Sequence, residues 1–356
     1  MRPESLQFLK QLLTTPSPSG FERKGQRIWL DYVTPYADET FTDTYGSAVA
    51  VANPKGETKV MIVGHADEIG LMVNYIDDKG FIYTLPIGGV DPAVVPGKRV
   101  TIHTAHGPVR GVTGATAIHL MDRTGEQKVR PLHELFIDIG ADSKKNALKR
   151  VQPGDPITFV DDFEMLDANL AVARALDNRI GTWVAAETMR LLRESRKKLN
   201  CCVYACSAVQ EEVGCRGSHM LTVQLKPHIG LVTDVGHATD SPGIDQRKHG
   251  AYKLGGGPQL TIGGPTLPEV NDHLRKIAKA KKIPLQLEPT PGRSGTDTDS
   301  VFMVGGGAAC GLVALPIRYM HTTVEMADLR DLVHISELFA EFCLSLKPGQ
   351  RFVAKV

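Results

Sequence analysis

Apolar residues fall in short unbroken blocks along the chain, and polar residues or glycines end each block. "VAVANP" and "KVMIVGHAD" read as two strands, and "NCCVYACSAV", "IGLVTDVG" and "CGLVALPI" as three more. Runs of this length, bounded by turn residues, have the character of buried strands. Helical periodicity separates them. "NRIGTWVAAETMRLLRES", "LPEVNDHLRKIAKAKKI" and the N-terminal "MRPESLQFLKQLLTT" each place apolar residues on one face. "TPSPSGFERKGQRIWLDYV" predicts a capping box, with Ser19 accepting from the Glu22 backbone and Glu22 reaching back, and a helix to about Val33.

From about Val73 to Phe163 the texture changes. Alternating segments such as "RVTIHTAHGPVRGVTG" are broken at short intervals by Gly and Pro, the pattern of a small β-rich barrel or sandwich. After Phe163 the α/β rhythm returns. A strand series interrupted in this way predicts an α/β domain, residues 1–72 and 164–356, carrying an inserted β domain, residues 73–163.

Composition narrows the possible partners. The 356 residues are 42% hydrophobic, enough for a large core and about two domains. Forty-one Lys and Arg against 40 Asp and Glu leave a net charge of +1, so no basic excess addresses nucleic acid. No block of like charge suggests a membrane surface. Six sparse cysteines without a C-x-x-C suit buried free thiols in a reducing compartment. The N-terminus lacks the apolar core of a signal peptide. The uncharged stretch Ser300–Ile317 is nearly long enough to span a bilayer. Its glycine triplet and Pro316 instead predict a helix end, a glycine loop and a buried strand. The expectation is a soluble, cytoplasmic protein with no membrane or nucleic-acid partner.

The chemistry lies in what accompanies each apolar block. His65 and Asp67 follow "KVMIVG", Glu211 and Glu212 follow "CCVYACSAVQ", Asp234 follows "IGLVT", and His321 follows "CGLVALPIRYM". Asp177 precedes a helix. Open α/β sheets bind ligands at the carboxyl ends of their strands, so residues far apart in sequence can converge there. Two imidazoles with several carboxylates form an N/O donor set suited to zinc, cobalt or manganese. With His65, His321, Asp177, Glu212 and Asp234 as ligands, three carboxylates and one bridging hydroxide would balance two divalent cations. Adjacent residues in extended chain point to opposite sides, so one of the two glutamates could ligate while its neighbour faces the bridging water and takes its proton as general base.

Other motifs compete poorly. "HELFI" has Ile137 where a zinc-protease helix needs a second histidine. The glycine-rich segments lack a phosphate-loop pattern, and no G-x-S-x-G is present. "RSGTDTDS" could cap a helix or line a pocket, and capping alone is the role expected of Thr296 and Asp297. His103, His106, His119 and His133 are expected to be surface or packing residues.

The blocks "GHADEIG", "ALDNRIG", "VQEEVGCRGS", "TDVGHATDSPG" and "RYMHTTVE", in order along nearly the whole chain, resemble the signatures of the tetrahedral (TET), glutamyl and deblocking aminopeptidases. Some members of that family carry an endoglucanase (cellulase M) label. The resemblance implies an α/β/α, phosphorylase/hydrolase-like zinc-peptidase catalytic domain and an inserted β-barrel or PDZ-like dimerisation domain. It implies a metalloaminopeptidase acting on short peptides, with two divalent ions per chain, zinc or cobalt before manganese. His65 and Asp234 would hold one ion, Glu212 and His321 the other, and Asp177 both. Glu211 would be the base, and Asp67 would orient His65. Dimers, and from them a tetrahedral dodecamer, are the implied assembly. A di-metal carboxypeptidase or deacylase is the alternative within the same chemistry, and a non-catalytic oligomeric scaffold the alternative outside it. Glycoside hydrolysis fits poorly, because it needs two free carboxylates that this site would use as ligands.

Overall fold

A computed structural model describes residues 1–121 and 129–356 of the chain. Residues 122–128, within the expected insert, lie outside the described residues. The described chain forms one large mixed sheet, flanked by helices on both faces, and a separate closed barrel.

Four parallel strands make the centre of the sheet, in the order Cys201–Ala208, Thr58–His65, Ile229–His237 and Ala309–Arg318. Their sequences are almost wholly apolar because both faces are covered. Val60 and Ile62 pack into a cluster with the helices Pro3–Thr14, Arg23–Val33, Leu176–Glu194 and Leu329–Ser345. Met61 and Val63, alternating with them, pack on the opposite side with Leu221 and Leu225 of the helix Arg216–Leu225. Antiparallel strands widen the sheet on either side. The pair Gln259–Gly263 and Gln286–Thr290 branches from Ala309–Arg318.

The helix Leu176–Glu194 is buried along nearly its whole length. Two tryptophans fix it in place. Trp29 Nε1 donates to the Thr182 carbonyl at 2.7 Å, and Trp183 Nε1 donates to the Ser5 carbonyl at 2.9 Å. Each indole thus buries its apolar body without stranding its N–H.

The barrel strands run from Gly70 to Phe159 and close in the order 70–76, 82–87, 136–138, 107–114, 99–104, 156–159. A core including Leu71, Ile82, Val100, Ile102, Ile137 and Ile157 fills it. Glu164–Met165 already pairs with Leu170–Ala173 in the large sheet. Within the barrel, His103 Nε2 lies 2.8 Å from Thr158 Oγ1.

Two local expectations are corrected. The capping box before Arg23 is absent, because tertiary partners take its side chains. Ser19 Oγ donates to Asp67 Oδ2 at 2.6 Å, and Glu22 Oε1 accepts from the backbones of Gly20 and Gln210. Asp234 lies inside its strand rather than after it. Ser300–Ile317 comprises the end of the short helix Thr298–Val301, a loop and most of Ala309–Arg318. Among the described residues no helix is long and apolar enough to cross a membrane.

Candidate metal centre

The parallel strands bring their carboxyl ends to one edge, and the polar residues of separate blocks meet there. His65 closes Thr58–His65, Asp234 lies near the end of Ile229–His237, and Glu211 and Glu212 follow Cys201–Ala208. Asp177 opens the long buried helix, and His321 follows Ala309–Arg318.

Asp177 sits between the two histidines. Its Oδ1 is 3.2 Å from His65 Nε2, and its Oδ2 is 3.2 Å from His321 Nε2. Glu211 Oε2 and Asp234 Oδ1 stand 3.6 and 3.9 Å from His65 Nε2, while Glu212 Oε2 stands 3.6 Å from His321 Nε2. Donor atoms of His65, Asp177 and Glu212 lie within 4.8 Å of one another, as do those of His65, Glu211 and Asp234.

The two glutamates are separated by a turn rather than by strand alternation, because the strand has ended at Ala208 and Gln210 takes φ +58°. Asp67 anchors that turn. Its Oδ1 accepts the Glu211 N–H at 3.0 Å and its Oδ2 the Glu212 N–H at 3.1 Å. The same carboxylate faces His65 Nδ1 at 3.3 Å. Burial works against the charge of Asp67, but the hydrogen bonds of His65, Ser19 and Glu211 hold its pKa below the usual carboxylate value.

Sequence reasoning missed several supporting groups. Glu325, inside the quoted "RYMHTTVE", is buried and accepts the His321 N–H at 2.9 Å and the Asp177 N–H at 3.1 Å. Burial and the nearby Asp177 charge push it up to about 8. Glu68 pairs in the interior with Arg174 and Arg179. The Gly89 carbonyl, from the barrel, lies 3.0 Å from His321 Nδ1. Gly89 allows that approach, since a Cβ there would meet the ring nitrogen at 2.9 Å. Cys215 Sγ donates to Glu211 Oε1 at 3.3 Å. Thr296, expected only to cap a helix, also lines the cleft beside the site. Asp297 is buried against Ser218 and makes no side-chain cap.

The electrostatics test the donor set. Asp177, Glu211, Glu212 and Asp234 crowd two imidazoles, and among the described residues no Lys or Arg lines the cleft. Burial, reinforced by the neighbouring carboxylates, pushes Glu211 up and Glu212 and Asp234 well up. His65 is pushed well up against its own burial by Glu211, Asp177 and Asp67. Such a cluster calls for added positive charge, and its nitrogen and oxygen donors are those divalent transition ions accept. The residues present therefore fit a metal centre.

The family model for the M42 glutamyl aminopeptidases matches residues 46–338. The lysyl aminopeptidase of Pyrococcus furiosus is 32% identical over 346 residues, covering 96% of this chain and 97% of its own. The crystal structure of a TET aminopeptidase from a marine sediment thaumarchaeon superposes with a TM-score of 0.91 at 31% identity, covering 97% of this chain and 98% of that one. A TET peptidase of Pyrococcus horikoshii matches with a TM-score of 0.85 at 28% identity, covering 96% of this chain and 100% of its own. The chain belongs to the M42 glutamyl aminopeptidase family and is a metal-dependent aminopeptidase.

Proposed function

We propose that this aminopeptidase removes N-terminal residues from short peptides at a centre for two divalent cations, zinc or cobalt before manganese. The observation that carries the reading is Asp177, whose two carboxylate oxygens each lie 3.2 Å from a different imidazole. His65 and Asp234 would hold one ion, Glu212 and His321 the other, and Asp177 would serve both. When bound, the ions would supply Lewis-acid activation of the scissile carbonyl and of water.

The chain's own groups do the rest. Asp67 fixes the His65 ring and both glutamate backbones, so donor positions are set before substrate arrives. Glu325 does the same for Asp177 and His321. Glu211 adjoins His65, and burial raises its pKa, which strengthens it as a base. It would take a proton from the attacking water and deliver it to the leaving amine.

The barrel is proposed as the dimerisation domain, bounded at about residues 73–163 and inserted in a catalytic domain of residues 1–72 and 164–356. The Pyrococcus horikoshii peptidase can assemble into a tetrahedron or a large octahedral shell. A homo-oligomer, in its fullest form a tetrahedral dodecamer, is the matching proposal for this chain, working on the cytoplasmic peptide pool.

The test strips the protein with a chelator and adds back each metal. Hydrolysis should vanish, then return as occupancy approaches two ions per chain, and only on peptides with a free N-terminus. Activity that survives stripping, or cleavage of N-terminally blocked peptides, would overturn the reading and favour a carboxypeptidase or deacylase.

A further inference from the structure

The cleft of about 490 Å³ beside the metal-centre residues is large enough for a small ligand. The family is named for glutamyl substrates and one relative for lysyl substrates, so these names do not fix what this cleft prefers. Its lining residues outside the proposed metal ligands, His237 and Glu288 among them, bear on that choice.

Glu288 lines the cleft. In the strand Gln286–Thr290 it shares a face with Thr290, two residues on, and both line the cleft. Thr261 pairs with Glu288 in the parallel register of the neighbouring strand. Thr261 Oγ1 donates to Glu288 Oε2 at 3.2 Å. Among the described residues Glu288 forms no salt bridge, and no Lys or Arg lines the cleft. Leu312, Ala314 and Met320 give the same cavity an apolar side.

We propose that Glu288 selects peptides whose N-terminal residue has a long cationic side chain, lysine or arginine. The inference rests on the aminopeptidase reading and names its substrate class. A lysine or arginine stem can lie along Leu312, Ala314 and Met320 while its charged end reaches the carboxylate. The pairing gives Glu288 the cation that its own surroundings lack. Burial pushes its pKa up, so its ionised form gains from such a partner. An N-terminal Glu or Asp would meet Glu288 and the metal-centre carboxylates with no cationic side chain of Lys or Arg to receive it. A neutral apolar residue would fill the cavity but leave the carboxylate unpaired.

The experiment measures kcat and KM of the metal-loaded full-length protein on Lys, Arg, Leu and Glu aminoacyl chromogenic substrates. The wild type should favour Lys and Arg over Leu by at least about tenfold, with Glu poorest. In Glu288→Gln the Lys-to-Leu ratio of kcat/KM should fall about 10- to 100-fold, the worth of one charge-assisted contact. The loss should appear mainly in KM, at unchanged metal content. A wild-type preference for Leu or Glu would overturn the proposal without needing any variant. Equal losses on Lys and Leu would also overturn it, by showing that Glu288 holds the α-amine or the cleft itself. If the loaded wild type cleaves none of the substrates, the aminopeptidase reading fails separately. Calorimetry with lysinamide and leucinamide still decides the inference. Tighter lysinamide binding that Glu288→Gln abolishes supports it, and equal binding overturns it.

Discussion

Asp67 touches three groups of the proposed centre, the His65 ring and the backbones of Glu211 and Glu212. Ser19 donates to it as well. With the turn held in this way, the Glu211 side chain can be altered without moving the groups around it. Glu211→Gln should therefore retain both metals while turnover falls about 10²–10⁴-fold, the usual contribution of a general base. Metal content and rate measured on one sample check this, and near-normal turnover would remove Glu211 from the proposed role. The polar residues ending the apolar runs were legible in the sequence as a convergent set, because strand ends are marked by local pattern. Their holders were not. Glu325 acts on two backbones, Ser19 bonds a residue 48 positions away, and Glu288 faces the cleft only through the pairing of two branch strands. Each of these depends on tertiary pairing, which no periodicity reports.

At the scale of elements, the strand Thr58–His65 and the helix Leu176–Glu194 carry His65 and Asp177, and Gly64 and Gly181 set their spacing. A Cβ at Gly64 would overlap the Gly181 backbone, so the two elements meet through bare main chain. Gly64→Ala should push the helix away, costing about 1–3 kcal/mol of stability through overpacking. Because His65 follows Gly64 and Asp177 opens that helix, metal content should fall along with the denaturation midpoint. Titrating both on one preparation checks this; an unchanged metal content would show that the centre tolerates the shift. The strands and helices themselves were legible, since unbroken apolar runs need two covered faces and long helices show their stripe. The capping box was misread for an instructive reason. Ser19 and Glu22 offered each other a local bond, but Asp67 and the Gln210 and Gly20 backbones offered bonds that complete the site instead.

Across the whole molecule, the interruption of one rhythm by another was readable, whereas the return contact from barrel to sheet was not. The Gly89 carbonyl reaches His321 Nδ1 at 3.0 Å, leaving Nε2 to face Asp177 and Glu212. A ring hydrogen-bonded at one nitrogen presents the other in a fixed tautomer. Replacing residues 73–163 with a Gly/Ser linker should give smaller particles in solution, as expected if the barrel pairs the subunits. It should also lower metal occupancy below that of the full chain, because His321 loses its orienting carbonyl. Mass in solution and metal analysis read the two effects separately. A linker variant of full-length assembly size would exclude the barrel from assembly, and one with full occupancy would exclude Gly89 from the centre. This contact also ties the site to the integrity of the barrel. Gly89 lies 232 positions ahead of His321 in the chain, and the fold brings the two together. If His321 holds a metal as proposed, a damaged copy with a loose barrel would bind that metal poorly and digest little, so the contact would work as an interlock between barrel and site.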